Sequence, residues 1–336
     1  MSSQPISKFS ERELIEIIRS KIKISNMDVN ALPHPEDAVA LPALDYKFIV
    51  VNSDSIVESS DKPKAMPYHA LGWKSVISSI SDVAAKGAKP ITLILNMTVK
   101  LDMLFRDFEE LIDGIGDAVK EYNLNVCGGD LNTGNDNVID VITIGVANRL
   151  MTRSKLKEGY KLYSIGEFGY TGIALDILSQ KVFLPKKVRE QILRRFFYPE
   201  AYVEEGVFLG ELGVPACIDC SDGLVRSLYD LSNASGFKIL LENIPIPHLL
   251  QKALSENIIS EKRVTESILY SGEDYALIFA IPSKDEDHIL EELAKNTRAK
   301  INYLGKVLGK GKEVLLKSED GVILLKDIGW DPFLRL

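Results

Sequence analysis

Gly72-Trp-Lys-Ser-Val-Ile-Ser-Ser-Ile-Ser-Asp-Val-Ala-Ala-Lys-Gly-Ala-Lys-Pro90 runs straight into Ile91-Thr-Leu-Ile-Leu-Asn-Met-Thr-Val99. In the first stretch Val76, Ile77, Ile80, Val83, Ala84 and Gly87 recur at helical spacing, which predicts a narrow buried stripe. Ser75, Ser78, Ser79, Asp82 and Lys86 share the opposite side. Gly87 and Pro90 stop the helix, and the apolar run to Val99 reads as a buried strand bounded by those breakers. The plain reading of Asp82 is an exposed helix position paired with Lys86 four residues on, worth about a few tenths of a kcal/mol. The other reading is a carboxylate ringed by hydroxyls at a binding site. What favours the second is repetition: a carboxylate beside Ser or Gly closes several other apolar segments of the chain.

Toward the N-terminus, Glu11 to Lys21 has the pattern of a short amphipathic helix with Leu14, Ile15, Ile17 and Ile18 inward. His34-Pro-Glu-Asp-Ala-Val-Ala-Leu41 is a polar turn entering a strand, with Asp37 at the junction. Tyr46 to Val57 is the next strand, and Asn52, Ser53 and Asp54 stand where its apolar run breaks, a frequent place both for a ligand and for a turn. Toward the C-terminus, Asp102 to Glu121 carries Leu104, Phe108, Leu111, Ile112, Ile115 and Val119 along one helical side. Asn125-Val-Cys-Gly-Gly-Asp-Leu-Asn-Thr-Gly-Asn135 follows, where two glycines would let backbone approach a ligand beside Asp130, or merely form a hairpin. Val138 to Val146 returns as a strand. The order ββαβαβ predicts one sheet with helices on a single face, whose other face a second subunit would cover.

Arg149 to Lys155 is a polar, basic connector and marks the expected boundary between two domains, 1–150 and 151–336. Tyr160 to Gly172 reads as strand and glycine turn, then helix from Ile173. No Lys-Ser/Thr follows those glycines, so this is not a Walker A loop, and none occurs elsewhere. Val214-Pro-Ala-Cys-Ile-Asp-Cys-Ser-Asp-Gly-Leu224 is a strand ending in Asp219, Ser221 and Asp222. A helix from Leu224 to Ser235 opens there, so its N-terminal amides and dipole face an anion at the same place. Two carboxylates beside a helix N-terminus suit a metal–phosphate cluster. Tyr270-Ser-Gly-Glu-Asp-Tyr275 again sets acids before an apolar strand.

The chain has 336 residues, enough for two cores, and 46% apolar with 26% charged residues places it among globular proteins. A net charge of −8 argues against nucleic acid or an anionic membrane as main partner. There is no apolar run long enough to span a bilayer and no signal-peptide pattern at Met1, so the expected location is the cytoplasm. Three cysteines are too few for a disulfide framework, and Cys217 and Cys220, three apart in a strand, point to opposite faces and do not share a metal. The four histidines are scattered, so a metal here is expected to be hard and oxygen-held.

Asp37 in Pro35-Glu-Asp-Ala-Val39, Ser53-Asp54, the helix from Gly72-Trp-Lys to Ser81-Asp-Val-Ala-Ala-Lys-Gly-Ala88, Gly128-Gly-Asp130, Ile218-Asp-Cys-Ser-Asp-Gly-Leu224 and Ser271-Gly-Glu-Asp-Tyr275 together resemble the ATP-dependent PurM-like, AIR synthase-related superfamily. Within it they are most similar to the thiamine-monophosphate kinases, over Pro33 to Phe333. The resemblance implies an α+β fold of two PurM-like domains and a homodimer whose N-terminal sheets close a barrel. ATP would bind between the domains and across the subunit contact. It implies direct transfer of the ATP γ-phosphoryl group to thiamine monophosphate, giving thiamine diphosphate, with several Mg²⁺ between the two anions. By match, Asp37, Ser53, Asp54, Asp82, Asp130, Asp219 and Asp222 hold metal, with Asp82, Asp130 and Asp222 at the reacting phosphoryl. Arg153, Gly129 and Ser221 contact ATP, and Glu273 and Trp330 line the thiamine pocket. The chain departs from the family pattern after Ser53-Asp54: Glu58-Ser-Ser-Asp-Lys-Pro63 stands in place of a His-Phe pair, which puts Asp61 at the substrate-binding His position. Ser79 replaces a frequent Asn, and His34-Pro35-Glu36 the usual Gly-Asp. Another ATP-using member of the superfamily with a different acceptor, or a non-catalytic nucleotide binder, are the other readings.

Overall fold

A computed structural model describes residues 39–41, 46–331 and 333. The segment Glu11 to Lys21 and the carboxylate Asp37 lie outside the described residues. In chain order the elements are β1 (Val39–Leu41), β2 (Phe48–Val57), α1 (Glu58–Asp61), α2 (Tyr68–Ala84), β3 (Lys89–Val99), α3 (Phe105–Glu121), β4 (Asn125–Thr133) and β5 (Val138–Ala147). A 3₁₀ turn, Arg153–Lys155, leads to β6 (Lys161–Ile165), α4 (Tyr170–Leu178), α5 (Lys186–Phe197), α6 (Val203–Glu211), β7 (Ala216–Asp219), α7 (Leu224–Ser235) and β8 (Phe237–Leu241). The chain ends with α8 (His248–Ser255), α9 (Glu261–Tyr270), β9 (Leu277–Ile281), α10 (Glu286–Asn296), β10 (Ile301–Lys310), β11 (Val314–Ser318) and β12 (Gly321–Leu324).

The first sheet has the order β1-β2-β5-β3-β4, antiparallel except for β3 and β4, which run parallel because α3 crosses between them. The glycine-rich segment, read either as a ligand approach beside Asp130 or as a hairpin, is therefore a fifth strand at the sheet edge. Its Gly129 packs so close to β3 that a Cβ would stand 1.9 Å from the Leu95 carbonyl, so strand contact rather than a ligand requires glycine there. Helices α2 and α3 cover one face, on which Val50, Ile56, Leu93, Ile139 and Val141 are buried. The alternate residues Ile49, Val51, Ile94, Ile142 and Ile144 face the other way and stay half-buried.

Helix α2 is buried far beyond the predicted stripe. Thirteen of its 17 residues are buried, including Ser75, Ser78 and Ser79 from the side expected to be polar, and Lys74 and Ser81 besides. The reason is its place in the molecule: it packs on β2 and β5 with one side and on α3, α6 and β7 with others. Its serines find partners inside the molecule, Ser75 at the Gly72 carbonyl of its own helix at 2.8 Å and Ser79 at the Val141 carbonyl of β5 at 2.9 Å, which lets small polar side chains go inside. Burying Leu71, Val76, Ile77 and Ile80 contributes about 1.5–3 kcal/mol each relative to exposure.

The second sheet has the order β12-β11-β8-β10-β6-β9-β7. One apolar core joins the two halves, running from Ile77, Leu93 and Ile139 to Phe168, Ile218 and Ile268. Trp73 Nε1 donates to the Pro199 carbonyl at 2.8 Å, and the Ala201 N–H to Tyr122 Oη at 2.8 Å, across the same junction. No helix among the described residues is long and apolar enough to cross a membrane. Cys217 and Cys220 are buried and Cys127 is exposed, and none of the three is in a disulfide among the described residues.

Candidate active site

Three carboxylates meet where α2 passes between the two sheets. Asp54 projects from β2 on the helix-covered face, Asp82 from the last turn of α2, and Asp219 ends β7. Asn52, two residues before Asp54 and so on the same face, donates its side-chain amide to Asp82 Oδ2 at 2.8 Å and to the Ser79 carbonyl at 3.3 Å. Ser81 Oγ donates to Asp219 Oδ2 at 2.9 Å. Burial pushes the Asp54 carboxyl up to about 6; the Ser78 hydroxyl beside it pulls the other way and the charges of Asp219 and Asp61 add to the rise. Burial, then the charges of Asp219 and Asp54, hold Asp82 well above the ordinary carboxylate range, with the buried Lys86 opposing. Asp82 thus sits among protein groups while keeping some solvent contact, and it is not the exposed half of a surface pair. Asp61 accepts the Val57 N–H at 2.7 Å, and its charge reaches Asp54.

The loop after β7 and the loop before β9 are stapled together. The Glu273 N–H donates to the Ser221 carbonyl at 2.6 Å and the Tyr275 N–H to Cys220 at 2.9 Å. Gly272 lies so near Ser221 that a Cβ would stand 2.2 Å from its carbonyl oxygen. Glu273 and Tyr275 both adopt left-handed backbone, φ 62 and 50. Burial, with the charges of Glu273, Asp54, Asp219 and Asp61, pushes the Tyr275 phenol up, so its ring stands at the edge of the acid group. The Glu273 carboxylate pairs with Lys74 of α2. Asp274 accepts the Gly169 N–H at 2.9 Å at the start of α4, and burial pushes its carboxyl well up. The Trp330 N–H donates to the Asp222 carbonyl at 2.9 Å, with its ring half exposed. A cavity of about 720 Å³ is lined by Glu273, Asp274, Tyr170, Arg195 and Tyr202; it borders the site through Glu273 and does not include Asp54, Asp82 or Asp219.

Asp54, Asp61, Asp82 and Asp219 therefore converge, with Ser221, Asp222, Glu273 and Trp330 on the adjoining loops. Ser53 and Asp130 do not join them within one chain. Ser53, next to Asp54 on a strand, points to the opposite face, where it donates to Asp140 Oδ1 at 2.9 Å. Asp130 is in register with Asn96, and Asn96 with Asp140, which puts it on that same outer face at an exposed edge. Arg153 is buried near α7, 3.9 Å from Asp230. No group of three or more His, Cys, Asp or Glu side chains among the described residues is set closely enough to hold a metal ion as it stands. Lys74, Asn52 and Tyr275 carry no role in the sequence reading; the spacing of Lys74, Ser78 and Asp82 at every fourth residue was the available signal.

Residues 35–147 match the family described as AIR synthase related protein, N-terminal domain. A thiamine-monophosphate kinase of Nitrosopumilus maritimus is 30% identical over 98% of this chain and 100% of its own length. The chain belongs to the thiamine-monophosphate kinase family. The family's Pyrococcus abyssi kinase is 31% identical, over 86% of this chain and 87% of its own. Among solved folds, AaThiL complexed with AMPPCP and TMP superposes with a TM-score of 0.82 at 21% identity, covering 98% of this chain and 99% of that one. The chain thus shares the PurM-like fold of this neighbour over 98% of its length, and the expected α+β class is the observed one.

Proposed function

We propose that this protein transfers the γ-phosphoryl group of ATP to thiamine monophosphate, giving thiamine diphosphate, in a cleft between residues 1–150 and 151–336 taken as two domains. The observation that carries the reading is the convergence of Asp54, Asp82 and Asp219 from three separate elements, β2, α2 and β7. Burial, with the charges of the neighbouring carboxylates added, raises the proton affinity of Asp54 and Asp82. A site shaped this way fits hard divalent cations, which neutralise two phosphate groups so that they can approach in line. Mg²⁺ is commonly held by one or two carboxylates plus substrate phosphates rather than by a full protein cage, which suits acids that are near each other but not closed into a metal site. Asp54, Asp82, Asp219 and Asp222 would hold it, with Asp37 from outside the described residues.

The chain's own work is positioning. Asn52 and Ser81 orient two carboxylates, the N-terminal amides of α7 stand behind Asp222 to receive phosphate oxygens, and Ser221 and Arg153 flank that helix. The acceptor is already an anionic phosphate oxygen, so no general base is required. Glu273, Asp61 and Trp330 form the acceptor side.

The outer face of the first sheet, half-buried and lined by Ile49, Val51, Ile94, Ile142 and Ile144, supports a homodimer closed through these sheets. Asp130 and Ser53 lie at the polar end of that face, so in this dimer they would serve the partner's site rather than their own. The test is ATP consumption in Mg²⁺ with and without thiamine monophosphate, with products identified by mass. Turnover dependent on thiamine monophosphate supports the reading, and turnover indifferent to it contradicts it.

A further inference from the structure

Lys74 is fully buried in α2, among neighbours that are small or apolar. Its ammonium pairs with the Glu273 carboxylate and lies 5.2 Å from the centre of the Phe196 ring. Burying a cation is costly even when it is paired, and an apolar side chain of similar length stabilises such a position as well or better. Stability therefore does not explain why position 74 is a lysine. Its partner does.

Glu273 is held twice. Its main chain, in left-handed conformation, is fixed to the Ser221 carbonyl at 2.6 Å, and its side chain is fixed by Lys74 from the other half of the molecule. On its remaining side it borders the cavity of about 720 Å³. Lys74, Ser78 and Asp82 fall on one face of α2, and Lys74 precedes Asp82 by about 12 Å along the axis. Ser78 neighbours Asp54, and Asp82 neighbours Asp219. One helix face thus carries the acid cluster at one end and the anchor for Glu273 at the other.

We propose that Lys74 is a positioning residue for the acceptor. By holding the Glu273 carboxylate at a fixed distance from the acid cluster, it sets where the non-phosphate part of the acceptor, a cationic heteroaromatic group that a carboxylate complements, must lie for its phosphate to reach the cluster. This inference rests on the proposed function. Its consequence is selective: loss of the cation frees Glu273 and disturbs the acceptor, while the nucleotide, held by other elements, is untouched.

The test uses full-length K74M, E273Q and the double variant, with KM measured separately for thiamine monophosphate and ATP and with melting temperature recorded. The expected result is an increase of about tenfold in KM for thiamine monophosphate in K74M, with KM for ATP within about twofold, as for loss of the ion pair that holds Glu273. E273Q should show a similar loss, and the double variant should be no worse than the poorer single, because the two act as one unit. The double also removes the uncompensated buried charge, so it keeps the test valid if a single variant folds poorly. A lowered melting temperature with unchanged KM for thiamine monophosphate in K74M and the double overturns the inference, as do equal changes for both substrates. Wild-type protein that does not phosphorylate thiamine monophosphate overturns instead the function on which it rests.

Discussion

Ser81 Oγ donates to Asp219 Oδ2 at 2.9 Å, tying the last turns of α2 in the first half of the chain to the end of β7 in the second. The bond is buried and joins residues 138 apart in sequence. It orients one carboxylate of the acid group and fixes the separation of the two sheets at that point.

Replacing Ser81 by Ala removes the donor and leaves a buried carboxylate oxygen short of a partner. A loss of about 1.5 kcal/mol or more is expected, lowering the melting temperature by roughly 3 °C or more. Calorimetry with and without Mg²⁺ checks this, and the deficit should shrink when Mg²⁺ is present to take up the carboxylate.

Asp54 gives a pH dependence of defined sign. Its carboxyl is pushed up to about 6 in the folded protein from 3.8, so between these values the folded state keeps a proton that the unfolded state releases. The stability it contributes is present below the lower value and lost as pH rises through about 6. In chelator, the wild-type melting temperature should therefore fall between about pH 4 and 6 by a component that D54N lacks. Identical slopes for the two proteins would remove Asp54 from the crowded group.

The outer-face position of Asp130 makes a prediction about subunits. D82N alters a chain's own acid cluster, whereas D130N alters the site of its partner. Each homodimer should be inactive, but mixing the two after dissociation should restore about a quarter of wild-type activity, because half the dimers are hybrids with one intact site of two. No recovery would place Asp130 in the site of its own chain, and an active D130N homodimer would place it outside the reaction.

Trp330 has its ring half exposed while its N–H is fixed to Asp222. W330A should weaken thiamine monophosphate binding about ten- to a hundredfold, as for loss of a stacked ring, and leave ATP binding nearly unchanged. Isothermal titration with each ligand separates this from a general loosening of the C-terminal segment, which would lower both.

Much of the arrangement is legible in the sequence where local pattern and site coincide. Leu224 to Ser235 is read as a helix and is one, because Gly223 and Gly236 bound it and its apolar spacing is regular. Asp54, Asp82 and Asp219 are singled out by Ser or Gly neighbours, and the fold brings them together. The burial of α2 is not legible: a helix packed on several sides needs small residues all round, and serines that bond their own backbone look like a solvent face. The edge strand β4 is hidden by Gly128 and Gly129, whose turn-like chemistry serves close strand packing at Gly129. Ser53 and Asp54 look like one site because they are adjacent, yet strand alternation sends them to opposite faces. The spacing of Lys74 with Ser78 and Asp82 marks its helix face, but its role is not legible, because its partner lies about two hundred residues away, a pairing that only the tertiary fold supplies.

The most direct measurement follows the transferred group itself. Protein incubated with Mg²⁺, γ-labelled ATP and thiamine monophosphate should place the label in thiamine diphosphate, with one ADP formed per labelled product and none formed without the acceptor. Label released as inorganic phosphate, or ADP formed with thiamine monophosphate left unchanged, would contradict the assignment of this acid-lined cleft to phosphoryl transfer onto thiamine monophosphate.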